Sequence, residues 1–518
     1  MDKLDKQPAQ QPRFEPADRR VLKLHPRDTV AVALTALRAG STVRLKDNEL
    51  VIREDIPAAH KVALRSISAG QQIIKYGSPI GTAKSAVQAG SWVHSHNLES
   101  SLEGVGQYRY NPTPAKPRVG GSSSCSPTFM GFRRPDGRAG VRNDLWILPT
   151  VGCANGLAGT MAARLRNELP PGIDGVRVLG HPYGCSQSGE DHLRTQRMLA
   201  AMAVHPNAGA VLVLSLGCED NSLAKLRPVI ERLQSPLDLR RIHFLEAQKE
   251  ADEIEAGVRA LRALASFASA WKREPLPLSE LAVGMKCGGS DAFSGISANP
   301  LVGIIADRLY YCGAATVLTE VPEMFGAEQH LLDRCADHEV FGMASGMLNR
   351  CRQVFIDHGQ PIYQNPSVGN REGGITTLEE KSLGCVQKGG SQPVVDVLNY
   401  GQRLRKPGLS LAEGPGNDLI AVSVLAATGV QMILFTTGRG TPLGSPVPVL
   451  KIASNSELAA RKPRWIDFDA GDLIGGASPA EEADRLLRLV VDVASGRQTR
   501  NEENGYHDFL PFKDGTTQ

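Results

Sequence analysis

The chain has 518 residues, enough for about two to four domains, and its 41% hydrophobic and 22% charged content is that of an ordinary globular protein. A net charge of +3 and only 5% aromatic residues argue against nucleic acid or an anionic membrane surface as a partner. No apolar run reaches the roughly 18 residues of a membrane span, and no apolar segment follows the amino terminus, so we expect a cytoplasmic protein with reduced cysteines.

The amino-terminal part of the chain predicts a small β-rich domain. Residues 1–18 are polar and are expected to be disordered, and the domain covers 19–102. Short strands are predicted at 21–24, 42–45 and 50–53, and a short amphipathic helix at 28–37. This pattern suggests a β-clip or a barrel-like module. Prolines, glycines and a serine run over 103–128 predict a linker.

An α/β pattern begins at residue 129. Strands are predicted at 145–148, 176–179 and 210–216, with helices at 158–168 and 191–203 between them. Each strand is followed by a glycine and then a cysteine, namely Cys153, Cys185 and Cys218. Because parallel strands with right-handed crossovers place their carboxyl ends at one edge, these thiols are expected at the same edge of a sheet. This first α/β domain covers 129–275.

A second α/β domain is predicted over 276–498, followed by a polar tail over 499–518. The strand at 281–285 leads to Cys287, the strand at 315–319 to Glu320, and the strand at 432–437 to Arg439. Helices are predicted at 299–312 and 480–495. The fold class is therefore α/β: a small β-rich domain followed by two Rossmann-like halves with mainly parallel sheets.

The cysteines in glycine-bearing turns indicate a site for a soft-ligand metal. Thiolates can hold iron or an iron–sulfur cluster, although the spacing matches no compact ferredoxin run. The alternative is that each thiol is an inert, buried side chain. The candidate metal ligands are Cys153, Cys185, Cys218, Cys287 and Cys385.

Two histidines and several polar groups are candidates for acid–base chemistry and substrate binding. His94 and His96 are two residues apart in a predicted strand, so they would share one face and could bind a divalent ion or transfer protons. A polar surface strand is the alternative. Turns at Ser290-Asp291 and Arg439 could bind an anion or a carboxylate, or could be tight connections only.

These motifs together resemble the altronate/galactarate dehydratase family, and the amino-terminal part looks like its SAF domain. The resemblance runs from about residue 21 to 515. The polar amino terminus and the serine-rich linker depart from the family pattern without touching a motif. The matching motifs are at 75–81, 93–97, 140–153, 183–187, 287–291, 318–328, 373–379 and 435–442.

The resemblance implies a hydro-lyase that converts D-altronate into 2-dehydro-3-deoxy-D-gluconate in hexuronate catabolism, with Fe²⁺ as the metal and Mn²⁺ as a substitute. An iron–sulfur cluster stays open, as does a homo-oligomer. A dehydratase for another sugar acid such as galactarate, and a non-catalytic sugar-acid sensor, are the alternatives. The expected catalytic residues are His94, His96, Lys75 and Glu320, and the expected substrate-binding residues are Arg439, Ser290, Asp291 and Asn97.

Overall fold

The structure is a computed structural model that describes residues 18–45, 49–113 and 127–515. Residues 1–17 of the predicted disordered tail over 1–18, and the centre of the predicted linker, 114–126, lie outside the described residues. Among the helices of the described residues, none has the length and hydropathy of a membrane span.

The amino-terminal region consists of short strands, as predicted. Tight turns separate them, and Gly40, Gly70 and Gly90 occupy the left-handed region in three of these turns, which a side chain would disfavour. Three small sheets result, in the orders β1-β2-β5-β8, β3-β4 and β6-β7-β9. The strands are β1 Val21–Leu22, β2 Val30–Ala33, β3 Thr42–Arg44, β4 Glu49–Val51, β5 Lys61–Ala63, β6 Gln72–Lys75, β7 Ser78–Ala83, β8 Trp92–Val93 and β9 Leu98–Glu99.

The helix predicted at 28–37 is wrong, because strand β2 occupies this segment. β2 pairs antiparallel with β1 and β5, and all four of its residues are buried. Ala31 packs in the amino-terminal core, whereas Val32 packs against Ile296 of the carboxyl-terminal region. A strand covered on both faces lacks polar alternation, which is why its sequence could be mistaken for one side of a helix.

The middle region contains a parallel sheet, and its three predicted strands are confirmed. The strands lie in the order β13-β12-β14-β15, so the chain order reverses between β12 and β14 while all strands stay parallel. A separate antiparallel sheet has the order β11-β10-β16. The strands are β10 Thr128–Arg133, β11 Ala139–Gly140, β12 Asp144–Pro149, β13 Val176–Val178, β14 Ala208–Ser215, β15 Ile242–Glu246 and β16 Glu274–Pro277, and the helices are α1 Asn155–Leu165, α2 Gly189–Ala203, α3 Leu223–Leu233 and α4 Glu253–Ala268.

The carboxyl-terminal region contains a seven-stranded parallel sheet in the order β19-β20-β18-β17-β21-β22-β23. Chain order reverses between β17 and β21. The strands are β17 Ala282–Cys287, β18 Ala315–Leu318, β19 Val394–Leu398, β20 Gly408–Ala412, β21 Met432–Thr437, β22 Val449–Ala453 and β23 Phe468–Asp469. The helices are α5 Ala298–Tyr311, α6 Glu328–Leu332, α7 His338–Asp357, α8 Val368–Glu372, α9 Leu378–Cys385, α10 Asp418–Ala427, α11 Ser456–Arg461, α12 Pro479–Ala494 and α13 Arg500–Glu503.

The segments expected to be a linker and a tail pack against the rest of the chain where they are described. In the linker, the Tyr108 hydroxyl donates to Glu328, and the strand β10 already begins at Thr128. Near the carboxyl terminus, Glu502 pairs with the buried Arg142 at 2.7 Å, and Phe509 is buried. A few apolar and charged anchors in an otherwise polar segment are enough to order it.

The amino-terminal region docks on the carboxyl-terminal region through a shared apolar core. Ile73 and Ile80 belong to the same buried cluster as Leu378 and Leu383 of α9. Strand β7 lies against α9, so side chains from β5 and β6 can reach this helix. Helix α9 therefore joins the two regions, together with the contact between Val32 and Ile296.

Candidate active site

The carboxyl ends of β17, β18 and β21 lie at one edge of the seven-stranded sheet, next to the point where strand order reverses. In open α/β sheets this crevice is the usual ligand site. Cys287 is the last residue of β17, and Glu320 and Arg439 lie two residues beyond the ends of β18 and β21, so all three follow strand ends as the sequence predicted. Helix α9 adds a second row of side chains to the crevice.

Two thiols and a carboxylate meet in this crevice. The Sγ atoms of Cys287 and Cys385 are 3.2 Å apart, and Glu323 Oε2 lies 3.2 and 3.3 Å from them. All three side chains are buried, and their ligand atoms lie within 4.8 Å of one another. The hydrogen bond with Cys287, together with burial, raises the pKa of the Cys385 thiol. In the described part of the chain, this is the only group of three such ligands.

The triangle formed by Cys287, Glu323 and Cys385 has the chemistry of a metal site and is slightly smaller than one. Metal–sulfur bonds of about 2.3 Å place tetrahedral ligands roughly 3.5–3.8 Å apart, so a small outward movement of these side chains would admit a divalent ion. Thiolate and carboxylate donors suit iron(II) and related transition metals. Three protein ligands leave a further position for substrate, as in catalytic metal sites.

Lysines surround the triangle and balance its charge. Lys388 Nζ donates to Cys287 Sγ at 2.8 Å, and Lys381 Nζ pairs with Glu323 at 2.7 Å. Burial opposes the charge on Lys388, but Cys287 and Cys385 outweigh it and raise the pKa of this ammonium. Lys286 pairs with Asp418 at 2.6 Å. These ammonium groups stabilise an anionic thiol–carboxylate set in a buried position.

Glu320 lies behind the triangle and holds the Cys287 loop. Its Oε2 accepts a hydrogen bond from the Cys287 backbone N at 3.0 Å, and its Oε1 lies 3.1 Å from Lys286 Nζ. Burial raises the pKa of Glu320 to about 7. The residue has φ of 69°, a left-handed conformation that costs about 1–3 kcal/mol and is typical of functional sites.

A second buried cluster connects β5 and β6 with α9. Glu380 accepts from Lys61 at 2.8 Å and from Lys75 at 2.7 Å. Lys61 also donates to Gly374 O and Thr376 Oγ1. Burial lowers the pKa of Lys61 to about 8. Burial would raise the pKa of Glu380, but the two lysines lower it to about 2.

One small cavity joins the two clusters. Lys75, Asp291, Lys381 and Cys385 all line it. Tyr76 also lines it and has φ of 59°, a left-handed conformation. The cavity therefore brings the predicted residues Lys75, Asp291 and Cys385 into one place, together with an unforeseen phenol.

The tyrosine hydroxyl requires a glycine beside it. A Cβ added at Gly295 would lie 2.2 Å from Tyr76 Oη, and one at Gly384 would lie 3.6 Å away. The close approach of these two glycines and the tyrosine leaves space for a phenol at the cavity wall. Burial raises the pKa of Tyr76, so the phenol is a neutral hydrogen-bonding group.

The predicted Ser290-Asp291 turn forms part of the same wall. Asp291 Oδ1 accepts from Ser294 N at 2.8 Å and from Ser454 Oγ at 2.7 Å, and Oδ2 accepts from Asn455 at 3.0 Å. Burial raises the pKa of Asp291. Within the described residues, the buried Ser290 hydroxyl makes no hydrogen bond. An unpartnered hydroxyl beside a cavity is available to a ligand.

Arg439 lies in a wider cleft that opens from Asp291. Its Nη2 pairs with Glu372 at 3.0 Å, and nearly half of the side chain is exposed. A partly exposed guanidinium beside a polar cavity suits recognition of a carboxylate. Arg461 lines the same cleft, farther along the chain.

The two histidines do not form the predicted pair on a strand face. Strand β8 ends at Val93, and His94 to His96 form a turn. His94 Nε2 lies 3.0 Å from Arg371 O, whereas His96 is exposed and its ring contacts Trp92 at 5.4 Å. Asn97 Oδ1 accepts from His94 N at 2.9 Å, so it supports the turn. Residues two apart share one face only inside a strand, and these histidines lie beyond the end of β8.

The five predicted metal thiols fall into two sets. Cys287 and Cys385 are buried in the site described above, whereas Cys153, Cys185 and Cys218 are exposed on the middle region. Sequence reasoning missed several polar partners of the site, although Lys286 directly precedes the motif at 287–291 and Glu380 directly follows the motif at 373–379. A lysine in a short apolar strand, as Lys61 in β5 and Lys286 in β17, is a signal that could have found two of them. The missed residues are Lys61, Tyr76, Lys286, Glu380, Lys381 and Lys388.

Comparisons with known proteins cover almost the whole chain. Residues 19–101 match the altronate/galactarate dehydratase SAF domain, residues 131–269 the D-galactarate dehydratase/altronate hydrolase second domain, and residues 278–517 the D-galactarate/altronate dehydratase C-terminal domain. The chain is 49% identical to altronate dehydratase of Escherichia coli (strain K12) over 96% of its length and 99% of that protein.

Two further relatives also match this chain over nearly its whole length. Altronate dehydratase of Bacillus subtilis (strain 168) is 48% identical over 96% of this chain and 99% of its own. Galactarate dehydratase (L-threo-forming) of Escherichia coli (strain K12) is 35% identical over 94% of this chain and 95% of its own. With three matched ranges and near-complete coverage of these enzymes, the chain belongs to the D-galactarate/altronate dehydratase family.

Proposed function

We propose that this chain is a carbon–oxygen lyase that dehydrates D-altronate to 2-dehydro-3-deoxy-D-gluconate. The observation that carries the proposal is the cavity that joins a thiol–carboxylate triangle to the Lys75–Glu380 pair. The similarity to two altronate dehydratases, at 49% and 48% identity, supports this substrate over galactarate, whose dehydratase is 35% identical.

We assign Cys287, Glu323 and Cys385 as the ligands of Fe²⁺, with Mn²⁺ as a substitute. The bound ion would act as a Lewis acid that polarises the substrate carboxylate and so acidifies the neighbouring C2 proton. Lys388 and Lys381 stabilise the anionic ligands around it. The donor set and its burial support this assignment.

Lys75 is the proton donor of the proposal, because it lines the cavity and because the charge of Glu380 outweighs burial and raises the pKa of this ammonium. The reaction removes a proton from C2 and adds one to the departing C3 hydroxyl, and the enol product then becomes the keto acid. Glu380 lies between Lys75 and Lys61, so it positions the first amine and connects it to the second. With a pKa of about 8, Lys61 is the lysine that loses a proton first.

Ser290, Asp291 and Arg439 are proposed to bind the polyhydroxy acid. The unpartnered Ser290 hydroxyl can bond a substrate hydroxyl, and Arg439 at the cleft can bind a carboxylate. Asp291 is already held by four neighbouring donors, and it shapes the wall between cavity and cleft. The polar lining suits a sugar acid better than an apolar ligand.

Replacement of Arg439 tests the carboxylate contact. We expect Arg439→Gln to lower kcat/KM for D-altronate about 10–100-fold, the loss of one charge-assisted contact of about 1.5–3 kcal/mol. Arg461→Gln is the matched control, since Arg461 lines the same cleft and, among the residues described, pairs only with the exposed Glu457. Steady-state kinetics measure both. Equal effects of the two substitutions would remove Arg439 from the substrate contacts.

His94 is proposed to position the segment behind the site. Its ring contacts Arg371 O, and the same segment contributes Gly373 O to Ala292 N and Gly374 O to Lys61. We expect His94→Ala to lower kcat about 10-fold, with partial rescue by His94→Gln, which keeps an N–H donor. His96→Ala is expected to change kcat less than about 2-fold. A large loss in His96→Ala would instead support the acid–base role that the sequence suggested.

We also infer that the three matched ranges are three domains and that both parallel sheets belong to Rossmann-like units. The strand orders, each with a reversal next to the first strand of its sheet, support this division.

A substrate panel tests the proposed function. The protein is purified without oxygen, supplied with Fe²⁺, and assayed for keto-acid formation from D-altronate, galactarate and other aldonates. We expect the turnover of D-altronate to be well above the turnover of galactarate. Preference for galactarate would reassign the substrate, and binding of D-altronate without any keto acid would favour a sugar-acid sensor.

A further inference from the structure

The three exposed thiols of the middle region lie at adjacent strand ends. Cys153 follows β12, Cys185 follows β13 and Cys218 follows β14, and these strands are neighbours in the sheet. Chain order reverses between β12 and β14, so the thiols flank the crevice where α/β sheets bind ligands. This edge belongs to a different sheet from the one that carries Cys287.

Hydrogen bonds tie the three cysteine-bearing loops together. Gly152 N donates to Tyr183 O at 2.8 Å, which joins the first loop to the second. Asn221 N donates to Gly184 O at 3.0 Å, and its side chain donates to Thr150 O at 3.3 Å. One asparagine on the third loop therefore contacts both of the others, and the thiols are carried by a single bonded unit.

The contact between two of the loops depends on a glycine. Gly184, directly before Cys185, has φ of +103°, and a Cβ there would lie 2.0 Å from Thr150 O. Glu219, beside Cys218, is buried and accepts from Thr150 Oγ1, Ser215 Oγ and Gly217 N. The Cys185 loop therefore lies directly against the backbone at Thr150, and the hydrogen-bonded carboxylate of Glu219 fixes the third loop beside them.

Two amide groups in this unit can serve a sulfur-rich ligand. The Nε2 group of Gln187, a residue that is 6% exposed, has no hydrogen-bond partner within the described residues, while its Oε1 accepts from Gly184 N. Gln248 Nε2 donates to Cys218 Sγ at 3.5 Å. Amide donors to sulfur are a common feature around iron–sulfur clusters. A buried amide left unpaired in the Cys185 loop indicates a ligand there.

The three thiols do not form the compact ligand set that a single ion requires. Their Sγ atoms do not all lie within 4.8 Å of one another, and in the described chain no histidine or carboxylate completes a compact set with them. A tetrahedral ion needs ligands under about 4 Å apart. A four-iron cluster separates its thiolates more widely, and three cysteines leave one iron free for water or a small ligand.

We propose that Cys153, Cys185 and Cys218 bind a [4Fe–4S] cluster on the middle sheet, separate from the buried Cys287–Glu323–Cys385 site. The proposal does not depend on the dehydratase reaction, because it concerns other residues and another sheet. Its readout is acid-labile sulfide, which a single Fe²⁺ ion does not contribute.

Iron and sulfide analysis tests the proposal. The full chain is purified and reconstituted without oxygen, and about four irons and four sulfides per chain are expected in addition to the mononuclear ion. Visible absorption and the EPR spectrum after reduction provide the spectroscopic check. Cys153→Ser, Cys185→Ser and Cys218→Ser are each expected to lose most of the sulfide and the visible absorption.

Two controls separate this site from the first. Cys385→Ser is expected to keep the sulfide, and Cys351→Ala, in α7, to keep both sulfide and absorption. Circular dichroism verifies that the serine variants fold, which their exposed positions make the expected result. Wild-type protein without sulfide after reconstitution, or serine variants that retain it, would overturn the proposal whatever the turnover of D-altronate.

Discussion

Glu380→Gln is expected to destabilise the docking of the amino-terminal region by about 3–5 kcal/mol, because it leaves two buried lysines without their counter-charge. Lys61 and Lys75 both donate to this carboxylate, and all three side chains are at most 1% exposed. An amide has the same shape but carries no charge, so the loss is electrostatic. Urea unfolding and limited proteolysis measure the effect, with cleavage expected first in the amino-terminal region.

Glu231→Gln is the control for this substitution, since Glu231 pairs with Arg227 at 2.9 Å on the exposed face of α3. Such a pair contributes less than about 0.5 kcal/mol. A similar free energy of unfolding for both variants would show that the buried cluster does not hold the two regions together.

The same cluster predicts how stability changes with pH. The pKa of Glu380 is about 2 in the folded protein against an ordinary 4.5, so its contribution is present above pH 4.5 and is lost as pH falls towards 2. The difference between wild type and Glu380→Gln should shrink over this window. Lys61 affects stability at higher pH, because its pKa is about 8 in the folded protein against an ordinary 10.5. Between these two values the unfolded chain holds more protons than the folded protein, so the stability of the fold rises with pH.

Cys385→Ser is expected to remove the bound divalent ion and to lower kcat for D-altronate by about 10³-fold or more, the loss of several kcal/mol of charge stabilisation. The substitution keeps the size of the side chain but replaces a thiolate ligand by a poor one. Metal content per chain and steady-state kinetics measure the two effects. Glu323→Gln should behave alike, because Glu323 contacts both thiols.

Cys351→Ala in α7 is the matched control, and it should retain the ion and nearly all turnover. If Cys385→Ser binds Fe²⁺ as wild type does and turns over normally, the thiol–carboxylate triangle is not the metal site. Loss of the ion with normal turnover would place the chemistry elsewhere.

Much of the α/β architecture could be read from local pattern. Apolar runs that end at glycine predicted β12, β14, β17 and β21, because buried parallel strands are short, apolar and bounded by turns. Residues that follow such strands share a sheet edge, which is why Cys287 and Glu320 were expected at a site. The segment of β2 failed, since burial on two faces hides the strand period.

The sequence by itself determined several strands of the two parallel sheets and the reactive side chains that follow them, because these properties depend on neighbours along the chain. Only the tertiary structure decided which of those side chains meet. Cys287 and Cys385 are 98 residues apart, and Lys61 and Glu380 are 319 apart, and each pair forms only when α9 packs between the sheet and the amino-terminal strands. No local periodicity encodes that packing, which depends on shape and on the compensation of buried charge across the whole fold.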